Sequence, residues 1–313
     1  MENVRLSSII VTMMNQGKPG KLWIGPSGWS YDDWHGVVYP RRKPRGFKPL
    51  AYIGRFFNAV EVNSSFYRIP TARMTAGWSA LVPVDFRFAI KLNQIFTHQR
   101  ENFPERESVV AFNKSLEPIR AAGRLGPLLM QFPWSFRYTP ESLDWLRRLA
   151  EAFPDYERFV EVRHASWARP EALAALREIG GFCNIDQPRL RDCLEPTQHV
   201  FGKTAYVRLH GRNAAKWFAD DVPSYERYNY LYSEEELSEW GRKIDGIMER
   251  ADYTYVFMNN HYYGQGPANA LELRAKCNRE RVAVPPTLLD TYPRLAAIAR
   301  PPREPGLFDQ LTD

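Results

Sequence analysis

The sequence predicts an α/β fold, a single (β/α)₈ TIM barrel, and three observations lead there. Eight short apolar, β-prone runs recur along the chain. All but one are followed by a segment with helical periodicity, the alternation expected of parallel strands joined by helical crossovers. The length, 313 residues, suits one barrel of roughly 250 residues with extensions at both ends.

The predicted strands are Lys21 to Gly25, Ala59 to Asn63, Phe86 to Lys91, Gly126 to Gln131, Arg158 to Arg163, Phe182 to Asp186, Thr204 to His210 and Tyr253 to Asn259. Helices are expected over Lys48 to Phe57, Thr71 to Leu81, Glu105 to Ala122, Pro140 to Phe153, Pro170 to Ile179, Ser233 to Arg250 and Pro267 to Asn278. Thr139 before Pro140 reads as an N-cap with proline at the first helical position, and Ser233 with Glu236 as a capping box. Gly180-Gly181 is expected to close a helix through a left-handed residue. Only Gln187 to Gly202, with two prolines and little periodicity, offers a short helix or none. Residues 1–20 read as a flexible extension, 21–280 as the barrel and 281–313 as a proline-rich segment laid over it or disordered.

Hydrophobic residues at 44% and charged ones at 25% allow a large buried core. The net charge of +6 favours approach of phosphates or acidic ligands. Its densest basic cluster, Arg41-Arg42-Lys43-Pro44-Arg45, is the composition of a solvated loop. Cys183, Cys193 and Cys277 are widely separated and lack CxxC spacing, so neither a disulfide framework nor a structural zinc site is expected. No run approaches the roughly 20 apolar residues that span a bilayer, and no signal-peptide pattern is present. The expected location is the cytoplasm.

Catalytic residues of such barrels sit at the C-terminal strand ends, and nearly every predicted strand ends polar. The ends carry Glu61 and Asn63, Lys91, Gln131, Glu161 with Arg163 and His164, Asp186, Arg208 with His210, and Asn259-Asn260. The period of two puts Glu61 on one face with Asn63, Glu161 with Arg163, and Arg208 with His210. If those faces point inward, a mixed set of carboxylates, cations, amides and an imidazole converges on the mouth. If they point outward, the groups satisfy one another against the helices. Desolvating so many charges costs several kcal/mol each, which favours a functional reading.

Three chemistries suit these residue types. Metal-free acid–base catalysis would use Glu161 or Glu61 as base and His210 or His98 as acid, with the arginines holding an anion. A divalent metal would take Glu61, Glu161, Asp186 and His210 as ligands, in competition with Lys91, Arg163 and Arg208. A Schiff base on Lys91 requires a lowered amine pKa. Acid–base or hydrolytic chemistry ranks first, the metal second and the Schiff base third, and across the three the catalytic candidates are Glu61, Lys91, Glu161, Asp186 and His210. The loop Gly25 to Trp34 adds Trp29 and Tyr31, aromatic faces that stack on a flat or sugar-like ligand or simply pack. It lacks GxGxxG spacing, so there is no nicotinamide or flavin signature.

The same residues carry a family resemblance. Gly25-Pro26-Ser27-Gly28-Trp29-Ser30-Tyr31 with Trp34, Val60-Glu61-Val62-Asn63-Ser64-Ser65-Phe66-Tyr67, Thr97-His98, Gln131-Phe132-Pro133, Arg163-His164-Ala165-Ser166-Trp167, Arg208-Leu209-His210-Gly211 and Asn259-Asn260 resemble the DUF72 (YecE-like) family. The match runs in order from about Trp23 to about Leu273. It implies a TIM barrel and no particular activity. Its motifs bring Tyr67, His98, His164 and Trp167 to the substrate-binding candidates beside Trp29, Tyr31, Asn63, Gln131, Arg163, Arg208, Asn259 and Asn260. Two departures are Pro26, where the family usually has Thr, and His261, where an acidic residue is common.

Three classes of function follow. The first is an enzyme acting on a small anionic, sugar-like or nucleotide-like substrate. The second is a nucleic-acid-processing or repair-associated protein, suggested by the positive charge, the loop aromatics and the tail Pro305-Gly306-Leu307-Phe308-Asp309, which looks like sliding-clamp-binding tails. The third is a non-catalytic binding scaffold.

Overall fold

The computed structural model describes residues 20–300 except Asp220. The first 19 residues and the clamp-like tail lie outside the described residues. Eight strands form one parallel sheet: β1 (Lys21–Pro26), β2 (Ala59–Val62), β3 (Arg87–Lys91), β4 (Leu125–Gln131), β5 (Arg158–Glu161), β6 (Gly181–Asp186), β7 (Thr204–Leu209) and β8 (Tyr253–Met258). Their order, β1-β8-β7-β6-β5-β4-β3-β2, is the succession of a TIM barrel with alternating helices outside.

The circle closes between β1 and β2 through one side chain and an isolated backbone bridge at Ser27 and Glu61. The Asn58 carboxamide bridges the seam, accepting from Ile24 N–H and donating to the Leu22 carbonyl, both at 2.8 Å. Above it Gly28 N–H donates to the Glu61 carbonyl at 2.8 Å. Gly25 sits where the backbones nearly touch, since a Cβ there would lie 1.9 Å from the Ala59 carbonyl oxygen.

The period-two alternation of β strands sorts their residues into two layers. Val60, Val62, Val160, Val207 and Val256 are buried among the hydrophobic residues that pack the barrel and its helices. Inside, Tyr206 meets Phe159 and Phe257, each at a ring-centroid distance of 5.3 Å, and Trp23 stacks on Tyr255 at 6.1 Å. This aromatic floor fills the lower barrel beneath the polar residues of the next layer.

Helix boundaries follow local chemistry. Thr139 caps Pro140–Ala152 by accepting from Ser142 N–H at 3.2 Å, and Ser233 with Glu236 forms a reciprocal capping box on Glu234–Met248. Pro170–Ile179 ends before Gly180 as expected, but not through a left-handed residue: Gly180 is extended at φ 171°. Glycine is needed there because a Cβ would lie 2.6 Å from the Arg158 carbonyl oxygen.

The sixth crossover holds no helix. The side chain of Asn184 on β6 secures it instead, accepting from Thr197 Oγ1 at 2.8 Å and His199 N–H at 2.7 Å while donating to the His199 carbonyl at 2.9 Å. The proline-rich segment packs on the barrel as far as Arg300, with Val282, Leu288 and Leu295 buried in the cluster that holds Ile24, Trp34 and Leu271. Cys183, Cys193 and Cys277 are all free thiols. Among the described residues no helix is long and apolar enough to cross a membrane.

Candidate functional site

Glu61 at the end of β2, Glu161 at the end of β5 and Arg208 on β7 meet inside the barrel mouth, all within 1% of full burial. Their strands alternate in phase, so the side chains that follow the aromatic floor by one pleat all point inward. Arg208 grips Glu61 with Nε at 2.8 Å and Nη2 at 2.6 Å, and reaches Glu161 with Nη1 at 2.5 Å. Tyr206, two residues before Arg208, donates its hydroxyl to Glu61 at 2.7 Å. Arg163 closes on the other oxygen of Glu161 through Nε and Nη2, both at 2.9 Å. Charge-assisted bonds of this bidentate kind are the strong ones.

Burial alone pushes the Glu161 carboxyl up, yet the Arg208 and Arg163 guanidinium groups beside it hold it well below the usual carboxylate range. Burial, opposed by Glu161, pushes His210 down to about 3, which leaves a neutral imidazole. The Asn259 side-chain amide lies 3.0 Å from His210 Nδ1. Asn63 donates to Asn259 Oδ1 at 3.5 Å, which leaves the Asn259 amide NH₂ facing the imidazole, so Nδ1 accepts and the ring proton sits on Nε2. Nε2 lies 3.1 Å from Glu161 Oε1, out of line for a good hydrogen bond.

Above this ion cluster lies a cavity of about 130 Å³. Lys91, Arg163 and Arg208 supply its cations, Asn63 and Asn259 its amides, and Tyr31, Tyr67, Tyr228 and His261 its aromatic walls. The Lys91 ammonium sits over the Phe66 ring at 3.9 Å, a cation–π contact, and among the described residues makes no ion pair or hydrogen bond. Burial first, then Arg208 and Arg163 against the opposing pull of Glu161 and Glu61, brings Lys91 down to about 7. Burial and the nearby Lys91 and Arg163 bring His98 to about 4. Both shifts favour the neutral imidazole near pH 7. Guanidinium groups occupy the oxygens of Glu61 and Glu161, and the Tyr206 phenol also bonds to Glu61.

Several candidates lie elsewhere. Asp186 ends β6 with the opposite parity, pointing out of the barrel to Arg212 Nε at 2.8 Å and the Tyr232 hydroxyl at 2.6 Å. Tyr232 also accepts from Gly211 N–H at 2.9 Å, so Asp186 braces the loop after β7 rather than joining the mouth. Asn260 likewise faces the helical layer, donating to the Tyr230 carbonyl at 2.8 Å and to Asn269 at 2.9 Å. His164 caps the short helix Ala165–Ala168. Trp167 is buried against Phe136, donating to its carbonyl at 2.8 Å. Trp29 packs edge-on against Trp78 at 5.3 Å. Gln131 is buried and spends its amide on the Phe132 carbonyl at 2.6 Å.

The structure brings in residues that strand ends alone do not reveal. Tyr206 was within reach of the same period-two argument, one pleat before Arg208. Tyr228 and His261 come from loops without periodicity, and Tyr31 is stacked flat on His261 at 4.3 Å. The four residues considered for a divalent metal do not fit one: Asp186 is on the wrong side of the sheet, and the lone pairs of Glu61 and Glu161 face Arg208, Arg163 and Tyr206. Among the described residues no group of three His, Cys, Asp or Glu is placed to hold a metal ion. A larger, open cleft of about 590 Å³ lies at the other end of the barrel, by Gly20, Met248 and Arg279. It touches none of the C-terminal strand ends, and that face of a barrel serves stability.

Comparison with known proteins agrees with this architecture. A family model described as "Protein of unknown function DUF72" matches residues 23–293. The chain is 28% identical over 285 residues to the UPF0759 protein YunF of Bacillus subtilis strain 168, covering 87% of this chain and all of YunF. It is 28% identical over 144 residues to the UPF0759 protein YecE of Escherichia coli K12, 46% of this chain and 48% of YecE. A crystal structure of a DUF72 family protein from Thermotoga maritima MSB8 superposes with a TM-score of 0.73 at 35% identity, covering 82% of this chain and 99% of that one. One from Enterococcus faecalis V583 gives the same TM-score at 24% identity, a likeness of fold alone. With its barrel, its strand-end motifs and the family model in agreement over the same residues, the chain belongs to the DUF72 family of proteins of unknown function.

Proposed function

We propose that the mouth of this TIM barrel is an enzyme site for a small substrate bearing one negative charge, and that Lys91 exchanges a proton with it. The observation that carries this reading is the Lys91 amine, facing a cavity of about 130 Å³ while both nearby carboxylates are already held by arginine. Charge arithmetic sets the substrate's sign. Glu61 and Glu161 against Arg163 and Arg208 sum to zero, and a protonated Lys91 leaves one positive charge to be met.

In the free protein near pH 7 the amine is partly neutral. A bound anion offsets the repulsion from Arg208 and Arg163, so Lys91 takes up a proton from solvent as the anion enters and faces it as an ammonium. Acting as a general acid, it passes that proton from Nζ to a substrate atom that gains negative charge, and the N–H electron pair stays on the amine, now neutral. Arg163 meets that charge with a fixed donor that need not reorganise. His98, neutral beside Lys91, adds no competing charge.

The test is calorimetric. Acetate and inorganic phosphate, titrated at pH 6 and pH 8 in two buffers of different ionisation enthalpy, should bind with proton uptake, and more tightly at pH 6. Lys91→Met should lose both the binding and the uptake. Equal affinity of wild type and Lys91→Met would overturn the proposal.

A further inference from the structure

We propose that the ligand has two parts: a singly charged acid head that enters the cavity, and a flat ring that lies on a tyrosine shelf made by Tyr225 and Tyr262. This rests on the anion site of the preceding section and extends it outward. Size is the first argument. A cavity of about 150 Å³ accepts benzene, so about 130 Å³ holds a carboxylate or phosphate head but not a ring attached to it. Any ring must lie outside, above the head.

The shelf stands at that place. Tyr228, on the cavity wall, and Tyr225 belong to the 3₁₀ turn Ser224–Tyr228. In a 3₁₀ helix side chains three apart eclipse, and three residues rise about 6 Å. Tyr225 is therefore one step beyond Tyr228 along the same edge, and it is more exposed, at 41%. The partners repeat the step: Tyr228 tilts against His261 at 5.5 Å, and Tyr225 stacks on the next residue, Tyr262, at 5.1 Å and 6°. Gln265 donates to Asn229 at 3.0 Å, tying the two loops together.

The loop carrying Tyr262 is held under strain. Tyr263 adopts φ 50°, ψ 32°, the left-handed region that is strained for a bulky L-residue. Asp33 accepts its N–H, and the Tyr292 hydroxyl donates to its carbonyl at 2.7 Å. These bonds fix the turn that presents Tyr262 beside Tyr225. Tyr67, 74% exposed, forms the facing wall.

The experiment compares ringless with ring-bearing acids: acetate against phenylacetate, and inorganic phosphate against phenyl phosphate, on wild type, Tyr225→Ala and Tyr225→Phe. Stacking of this kind is worth about ten-fold in affinity. The ring-bearing acid should bind wild type about ten-fold more tightly. Tyr225→Ala should lose most of that advantage with acetate and phosphate affinities unchanged, and Tyr225→Phe should keep it. Whichever pair binds more tightly identifies the head as carboxylate or phosphate. If the ringless acids bind but the ring adds nothing, or its advantage survives Tyr225→Ala in a protein of unchanged melting temperature, the shelf is wrong and the anion site stands. If no acid binds wild type, both fail.

Discussion

Lys91 keeps its charge to about pH 10.5 in an unfolded chain and to about pH 7 in the folded one. Below pH 7 it is charged in both states and folding bears the full desolvation cost. Between the two values the unfolded chain holds more protons, so stability rises with pH; above 10.5 the effect is gone. Lys91→Met should therefore melt higher than wild type at pH 6, and its lead should shrink towards pH 10, as thermal denaturation followed by circular dichroism can measure. Loss of anion binding with a gain in stability is the signature of a residue kept for function. Glu161 behaves oppositely. Glu161→Gln leaves Arg163 and Arg208 buried without their shared counter-charge, and should cost about 3–5 kcal/mol in urea unfolding. At this scale Glu61, Glu161, Arg163, Arg208 and Lys91 were readable from strand ends, because period two and burial constrain them together. Asp186 was not, since a polar residue ending a strand looks the same whichever face it takes; only the partners Arg212 and Tyr232, distant in sequence, decide its direction.

The strands emerged from the sequence within a residue or two because apolar, β-branched runs bounded by turns leave little choice. Loops were the opposite case. Tyr225, Tyr228, His261 and Tyr262 sit in segments without periodicity, and their convergence depends on how two loops meet over the mouth. The sixth crossover shows how one side chain can replace an element. Asn184→Ala removes the acceptor of His199 N–H and Thr197 Oγ1 together. Both groups are part-buried and partly reached by water, so the loss should be about 1–2 kcal/mol. Hydrogen exchange should locate the loss in 187–202 and spare Ser224–Tyr228.

Across the whole molecule, the ion cluster joins β2, β5 and β7 through the centre of the barrel, so its parts do not act separately. Arg208→Met takes the guanidinium from Glu61 and one of two from Glu161, and should lower stability by about 3–5 kcal/mol, whereas Glu61→Leu, Glu161→Leu, Arg163→Met and Arg208→Met together should recover much of the loss. Comparing the single and quadruple variants in urea measures this coupling. The net charge of +6 adds a long-range field that raises the encounter rate of anions and fades with salt. The seam between β1 and β2 adds a different property. Seven of the eight joints are backbone ladders, while the eighth has one isolated backbone bridge at Ser27 and Glu61 and otherwise leans on Asn58, a side chain that can release its hold by one rotation. The barrel thus has a fault line. Under load or heat its circle should part there first, beside the loop that carries Tyr31, so the joint that completes the mouth is also the hinge about which it gives way.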